Sequence, residues 1–225
     1  MQLLVLGASG RTGQLIVEHA LSKGHTVIAL VRSKSNFSLA SRVGVTVVEG
    51  TPLKLGDMKM AFTTPSIKPD AVLVALSMKR VTDSPFSALA PNTPPRLMED
   101  SVANALTVMK EQGTKRIVIM NSWGAGNSWQ SLNFLLRPVF KYTPMSQGLK
   151  AHNAIDEETR KSGLEFVLLR PTILTDLDAG PVKVHPADGT GVGFMPKISR
   201  GSVAEFMVAA CQGDEFVGTS PVISN

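Results

Sequence analysis

The chain has 225 residues, of which 43% are hydrophobic and 18% charged, so it can bury a full core without a disulfide or a structural metal. Its single cysteine, Cys211, excludes an internal disulfide. The net charge of +5 comes from scattered lysines and arginines, which is not the basic run typical of a nucleic-acid-binding protein. Because we find neither an apolar run near ~20 residues nor a leader pattern, we expect a cytoplasmic protein with no nucleic-acid or membrane partner.

Short apolar runs alternate with longer segments of helical period along the chain. The order starts with a strand at 2–6, an amphipathic helix ending at Gly24 and a second strand ending at Arg32. Further strands are predicted in the runs VTVVEG, DAVLVAL, RIVIMNS and LEFVLLRP, with helices at 99–112 and 148–162 and a terminal strand around 217–223. A last helix is predicted from Ser202, which has capping-box spacing to Glu205.

This alternation predicts an α/β fold in which apolar strands are covered on both sides. We expect one domain over 1–225, with a Rossmann-type, doubly wound, mostly parallel sheet and helices on both faces. Open α/β sheets bind ligands beyond the carboxyl ends of their strands. The loops 78–98, 123–147 and 173–200 are therefore the predicted substrate-site elements.

The first strand ends in a glycine-rich turn, GASGRTG, which a helix follows directly. Glycine lets the backbone approach a pyrophosphate, and the start of the helix offers unpaired N–H groups and the positive end of its dipole. Gly7 is predicted to make the turn, Gly10 the close approach and Gly13 the contact between helix and sheet. The turn is the predicted cofactor site, and the alternative is a tight turn without a ligand.

Two arginines favour NADP(H) over NAD(H) as the cofactor. An acidic residue at the end of the second strand binds a free ribose 2′-hydroxyl, but this chain has Arg32 there, which suits a 2′-phosphate. Arg11 lies inside the turn, where its guanidinium can reach the same phosphate. The alternative for Arg32 is an exposed charge at the end of a strand.

Four stretches resemble the atypical short-chain dehydrogenase/reductases: GASGRTG, LVR at the end of the second strand, MNSWGAG after the fifth, and RKSGLEFVLLRPTILTD around the sixth. The chain is most similar to the NmrA-like group and the biliverdin reductase B (flavin reductase) type. The resemblance implies an NADPH-binding Rossmann core with a small-molecule site over the nicotinamide. The implied cofactor contacts are Gly7, Ser9, Gly10, Arg11, Thr12, Gly13 and Arg32 at the phosphates, Leu76 and Ser77 at the ribose, and Ser122, Pro171, Thr172, Ile173 and Leu174 at the nicotinamide.

The sequence departs from these families at the catalytic positions. The Tyr-x-x-x-Lys pair of ordinary short-chain dehydrogenases is absent, since Ser146 stands four residues after Tyr142. Thr172 stands where the biliverdin reductase type has a histidine, and Thr51 stands where an acidic residue commonly serves the adenine.

The candidate catalytic residues are Ser122, His152 and Asp156. Ser122 can orient an acceptor over the nicotinamide, and His152 is the one side chain of this region that titrates near neutral pH. Asp156 lies four residues further along the predicted helix, so it can orient the imidazole. The alternatives are a serine that caps a loop and an ordinary polar pair on a helix.

The loop after the fifth strand concentrates both tryptophans and the only tyrosine. This composition favours an aromatic or apolar small-molecule substrate over a lid or an oligomer contact. The predicted substrate contacts are Met78, Trp123, Trp129, Phe134, Tyr142 and Met145. No metal site is predicted, and the oligomeric state, monomer or homodimer, stays open.

Two functions agree with these residues. The first is an NADPH-dependent reductase of an aromatic or conjugated molecule, such as a flavin, quinone, enone or biosynthetic intermediate. The second is a redox-silent NADP(H)-binding protein, either a cyclase, isomerase or dehydratase, or an NmrA-like sensor that binds a protein partner.

Overall fold

A computed structural model describes residues 1–64, 68–82, 84 and 86–225 of the chain. Within these residues the strands are β1 (Gln2–Leu6), β2 (Thr26–Val31), β3 (Val45–Glu49), β4 (Ala71–Val74), β5 (Arg116–Met120), β6 (Glu165–Pro171), β7 (Ile173–Thr175), β8 (Lys183–His185), β9 (Lys197–Ser199) and β10 (Val222–Ser224). The helices are α1 (Arg11–Ser22), α2 (Leu55–Thr63), α3 (Leu97–Gln112), α4 (Leu136–Tyr142), α5 (Met145–Lys161) and α6 (Arg200–Ala210). Two positions of the predicted loop 78–98, Asp83 and Pro85, lie outside the described residues.

The main sheet has eight strands in the order β3-β2-β1-β4-β5-β6-β10-β8. All its neighbouring strands pair in parallel except β8, which runs antiparallel to β10. A second, two-stranded sheet pairs β7 with β9. The strand order reverses at β1, so the carboxyl ends of β1 and β4 flank the crevice where such sheets bind ligands.

Successive residues of each strand point to opposite faces, and both faces are apolar. Leu3 and Val5 of β1 belong to one core cluster with the buried faces of α1 and α6. Leu4 and Leu6 belong to a second cluster with α2, α3 and α5. Helices therefore cover both faces of the sheet, and the predicted single-domain, doubly wound Rossmann fold is confirmed. No helix of the described residues is long and apolar enough to cross a membrane.

The start of α6 corrects a predicted boundary. The helix begins at Arg200, and its N-cap is Ser199, whose hydroxyl accepts a hydrogen bond from the backbone N–H of Ser202 at 3.0 Å. Ser199 is the last residue of β9 and already has the extended backbone that an N-cap needs, whereas Ser202 lies inside the helix. The predicted Ser202–Glu205 capping box is therefore wrong.

Several elements differ in extent from the sequence prediction. Helix α5 begins three residues before the predicted position, and the terminal strand is the short β10 instead of 217–223. Helices α2 and α4 and the strands β7, β8 and β9 have no counterpart in the prediction. Helix α4 and the strands β7, β8 and β9 lie in the predicted loops 123–147 and 173–200, whereas α2 packs against one face of the sheet.

Candidate functional site

Backbone contacts in the first turn require glycine at two positions. Gly7 has φ 86°, and a Cβ atom there would lie 2.4 Å from the carbonyl oxygen of Ala75. A Cβ atom on Gly13 would lie 2.0 Å from the carbonyl oxygen of Gly7. The turn is closed by a hydrogen bond from the N–H of Gly10 to that same carbonyl, at 2.9 Å. Helix α1 is thus held against the ends of β1 and β4 with no side chain between them.

The amino end of α1 suits a dinucleotide phosphate. Its N-cap is Gly10, so no side chain caps the first N–H groups, and the first turn contains no acidic residue. Thr12 and Gly13 are buried under the turn, while Ser9 and Gly10 are exposed. The start of the helix is exposed and uncapped, and a ligand can approach its backbone N–H groups with no side chain in the way. Such a site fits the pyrophosphate of a dinucleotide.

Two predicted phosphate contacts differ in their surroundings. Arg32 is exposed just after β2, and no hydrogen bond or ion pair joins its side chain to the part of the chain that the structure describes. Arg11 instead lies 3.3 Å from the carboxylate of Asp176, which Arg200 also contacts at 2.7 Å. The Arg32 side chain can therefore bind a phosphate without first breaking another contact. Arg11 must first release the carboxylate of Asp176.

The predicted nicotinamide contacts meet at the ends of β4, β5 and β6. The N–H of Trp123 donates to the carbonyl of Pro171 at 3.2 Å, which places Ser122 beside the end of β6. Leu76 contacts the glycine turn, since its Cδ2 would lie 3.3 Å from a Cβ atom on Gly7. The hydroxyl of Thr172 is buried and has no hydrogen-bond partner within the described chain. An orphaned hydroxyl at this edge fits a position where a ligand completes the hydrogen bonding.

Of the remaining predicted cofactor contacts, Ser77 is exposed beyond β4, and Ile173 and Leu174 are half-buried in β7. The hydroxyl of Ser122 donates to the carbonyl of Trp123 at 3.0 Å. It must therefore rotate before it can donate to a substrate.

The predicted pairing of His152 with Asp156 is wrong. Both residues lie on α5, but the two carboxylate oxygens of Asp156 accept from Arg160 at 2.6 Å and from Arg170 at 2.7 Å. The Nδ1 atom of His152 is buried and has no hydrogen-bond partner among the described residues. Burial lowers the pKa of His152 to about 4, so the imidazole is neutral near pH 7. A neutral imidazole without its carboxylate is a poor proton donor for the predicted role.

Asp156 takes part in a buried network that was not predicted from the sequence. Arg170 is buried in β6, and besides Asp156 it donates to the side chain of Asn127 and to the carbonyl of Ala187, both at 2.6 Å. These bonds join α5 to the loops that follow β5 and β8. The sequence does contain a sign of this network, because a single arginine in the apolar run VLLRP indicates a buried ion pair.

The predicted substrate contacts are divided between the core and the surface. Trp123 is only 2% exposed, packs with Leu132 and Val222, and donates from its indole nitrogen to Ser131 at 2.8 Å. Its assignment as a substrate contact is therefore corrected to a core residue. Trp129 is half-buried against the same cluster, and Met78 and Met145 are also half-buried. By contrast, Phe134 and Tyr142 are exposed on the outside of the loop.

Two open cavities lie beside the predicted site. One, of about 640 Å³, is lined by α1, α6 and the segment around Asp176. The other, of about 470 Å³, is lined by Asp156, Arg160, Arg170 and the loop before β10. Ser122 is not among the residues that line either cavity.

Comparisons with known proteins agree with this geometry. The model of a family described as NAD(P)H-binding matches residues 7–214. The chain is 27% identical over 218 residues to an uncharacterised chloroplastic protein of Arabidopsis thaliana, which covers 95% of this chain and 73% of that protein. It is 33% identical to the photosystem II assembly factor Ycf39 of Synechocystis over 84 residues, which are 37% of this chain but only 24% of that protein.

Several solved structures are similar to this chain over its whole length, including the two described next. A short-chain dehydrogenase/reductase of Veillonella parvula in complex with NADP has a TM-score of 0.77 at 18% identity over 94% of its length. ChuY, an anaerobillin reductase of Escherichia coli O157:H7, has a TM-score of 0.77 at 17% identity over 97% of its length. At these identities the likeness shows the Rossmann fold. With the family match, the predicted recognition and nicotinamide cofactor class are confirmed, and this chain belongs to the NAD(P)H-binding family.

Proposed function

We propose that the chain binds NADP(H) in preference to NAD(H), with the pyrophosphate on the amino end of α1 and the 2′-phosphate at Arg32. The single observation that carries the preference is the exposed Arg32 at the end of β2, which has no partner in the described chain. A carboxylate there would bind a ribose 2′-hydroxyl and repel a phosphate. Arg11 supports the same choice once it exchanges Asp176 for the phosphate.

Calorimetric titration of NADPH and NADH tests this preference. Because a hydrogen bond between charged groups contributes about 1.5–3 kcal/mol, Arg32→Ala is expected to weaken NADPH binding by roughly 10- to 100-fold and leave NADH binding nearly unchanged. Arg42→Ala is the matched control. Arg42 is exposed and precedes β3, so it lies at the amino ends of the parallel strands, whereas Arg32 lies at their carboxyl ends. Equal losses for NADPH and NADH in Arg32→Ala would contradict the assignment.

We further propose that the chain is a reductase of an aromatic or conjugated small molecule that lies over the nicotinamide. When bound, NADPH supplies a hydride. The ends of β5 and β6 place the Ser122 hydroxyl and the orphaned Thr172 hydroxyl at the same edge of the sheet. These hydroxyls orient the cofactor and the acceptor, and the half-buried Trp129, Met78 and Met145 supply apolar surface beside them.

The proton that completes the reduction comes from solvent in this proposal. His152 is neutral near pH 7, and the Ser122 hydroxyl is hydrogen-bonded to no acid or base among the described residues. Conjugated acceptors can be reduced without a protein acid, because they delocalise the negative charge that hydride transfer leaves on them. Flavins, quinones and enones are therefore the expected substrates, ahead of simple ketones.

The same lack of a protein acid favours the second candidate, a redox-silent NADP(H)-binding protein that rearranges its substrate or signals to a partner. Loss of NADPH absorbance with flavins, quinones and enones distinguishes the two. We expect consumption of NADPH with at least one of these acceptors, and a lower rate in Ser122→Ala with NADPH affinity retained. Tight NADPH binding without consumption, together with a rearranged substrate, would contradict the reductase.

A further inference from the structure

Large apolar side chains are exposed on α4 and on the two residues before it, where a protein surface normally has polar ones. Phe134, Leu135 and Tyr142 are 74%, 53% and 76% exposed. The inner side of the same helix is already satisfied, because Leu136 and Phe140 pack against the cluster around Trp123. The exposed side chains are therefore not needed for the core.

A neighbouring segment extends this apolar surface. Phe194 and Met195 are 58% and 47% exposed, and the rings of Phe134 and Phe194 lie 6.4 Å apart, centroid to centroid. The side-chain amide of Asn133 donates to the backbone carbonyl of Phe194, which holds the two segments together. Phe134, Phe194 and Met195 thus lie together beside the start of α4, and Leu135 and Tyr142 add exposed apolar side chains at its two ends.

The charged residues in the two segments that build this surface are all basic. The sequence contains no acidic residue at 112–155 or at 189–204, the two segments that build it. Arg137 and Lys141 are exposed on α4, and Lys197 is exposed two residues after Met195. The Nζ atom of Lys141 lies 5.3 Å from the centre of the Tyr142 ring. We call these eight residues the basic apolar face: Phe134, Leu135, Arg137, Lys141, Tyr142, Phe194, Met195 and Lys197.

The charges also argue against a second copy of the chain as the occupant. In a two-fold symmetric dimer the same patch lies on both sides, so Arg137 and Lys141 would approach cations of the other copy with no acidic residue between them. Protein partners, moreover, bind a packed patch with a dry centre. Here Phe134 and Tyr142 each have about three-quarters of the side chain in solvent.

Projecting Phe, Leu and Tyr side chains beside Lys and Arg match the chemistry of a membrane interface. The rings insert one by one at the level of the headgroups, and the cations contact anionic lipids. We propose that the basic apolar face binds the surface of a membrane that contains anionic lipids. Such a contact needs no spanning helix, so the absence of a long apolar run in the sequence does not bear on it.

Vesicle co-sedimentation of the full chain tests this proposal. We expect binding to vesicles that contain phosphatidylglycerol, weaker binding as salt rises, and little binding to pure phosphatidylcholine. The Phe134→Ser/Tyr142→Ser variant is expected to lose about tenfold or more in partitioning, because two inserted rings are removed. Lys141→Glu is expected to lose a similar factor, since it replaces an attractive charge with a repulsive one.

Matched variants elsewhere on the surface separate this face from general attraction by the net charge. Val43→Ser/Met60→Ser removes two other exposed apolar side chains, and Lys23→Glu makes the same charge change at the C-cap of α1. Both controls are expected to change partitioning by less than about twofold. Circular dichroism and NADPH titration check that each variant is folded.

Three results would overturn the proposal. The first is no binding to phosphatidylglycerol vesicles at low salt, which is also the result if an acidic protein covers the face. The second is an equal loss of binding in the face variants and their controls. The third is self-association that Phe134→Ser/Tyr142→Ser abolishes, which would make the face an interface between copies of the chain.

Discussion

At the scale of single residues, Gly13 has the least room for change in the cofactor turn. A Cβ atom there would lie 2.0 Å from the carbonyl oxygen of Gly7, and backbone must move to accommodate it. We expect Gly13→Ala to lower the free energy of unfolding by about 1–3 kcal/mol and to weaken NADPH binding. Gly148→Ala is the control, because a Cβ atom there meets nothing within 4 Å and alanine favours the helix. Urea denaturation and NADPH titration measure both effects, and equal stability of the two variants would contradict this packing.

His152 gives the molecule a pH-dependent term in its stability. Burial lowers the pKa of His152 to about 4, whereas an unfolded histidine has a pKa of about 6.5. Between these values the unfolded chain binds the extra proton, so stability falls as the pH drops from about 6.5 to about 4, by at most about 1.4 kcal/mol per pH unit. His152→Gln is expected to flatten this part of the curve. Urea denaturation at several pH values compares the variant with the unmodified chain, and an unchanged slope would show that His152 is not the source.

The His152–Asp156 pair shows how far residue spacing can predict a site. Spacing correctly places both residues on one helix, but their partners come from other elements. Asp156 binds Arg170 of β6, which is 14 residues away in sequence, and only packing brings that guanidinium to α5. The glycine turn was more predictable because its three glycines lie within seven residues and the contacts that require two of them are made by backbone.

At the scale of elements, the ion pair between α5 and β6 is the strongest polar connection at the site. Arg170 is 1% exposed, and its other partners, Asn127 and Ala187, are neutral. Asp156→Ala therefore leaves a buried cation unpaired, and we expect a loss of about 3–5 kcal/mol in urea denaturation. The control on the same helix is Glu157→Ala, which removes an exposed pair with Lys161 and is expected to cost less than about 1 kcal/mol.

A double variant tests the physical reason for that loss. Replacing both charges, in Asp156→Leu/Arg170→Met, removes the unpaired cation and is expected to recover much of the stability lost in Asp156→Ala. A double variant as unstable as Asp156→Ala would show that packing around these side chains, not the buried charge, sets the cost.

The elements also differ in how clearly the sequence predicts them. The strands β1, β2 and β4 to β6 are buried on both faces, so each appears as a continuous apolar run with recognisable ends. Helix α4 has seven residues, and the strands β7, β8 and β9 have three each. Elements this short show no complete period, and they form because the strand ends around them supply partners. The loops 123–147 and 173–200, which were predicted to form the substrate site, contain these elements, and this is why their structure was predicted least well.

At the scale of the whole molecule, Cys211 reports on whether the fold opens as one unit. The thiol lies just after α6, is 3% exposed and packs in the core cluster shared with α1. Burial raises the pKa of Cys211 to about 11, so very little reactive thiolate exists near neutral pH. Labelling of the folded chain by a thiol reagent must therefore wait for an opening that separates α6 from the sheet.

Because α1 supports both this cluster and the cofactor turn, an opening that exposes Cys211 should also disrupt the dinucleotide site. We expect NADPH at 100 times its dissociation constant to slow labelling by about 100-fold, the full factor for a ligand that binds only the closed state. NADH at the same concentration should slow labelling less if Arg32 selects the 2′-phosphate. The labelling rate is measured with a chromogenic disulfide reagent. The labelling rate of the chain unfolded in concentrated urea gives the value for an unprotected thiol. A labelling rate that NADPH does not change would show instead that the end of α6 frays locally, while the turn and α1 remain folded.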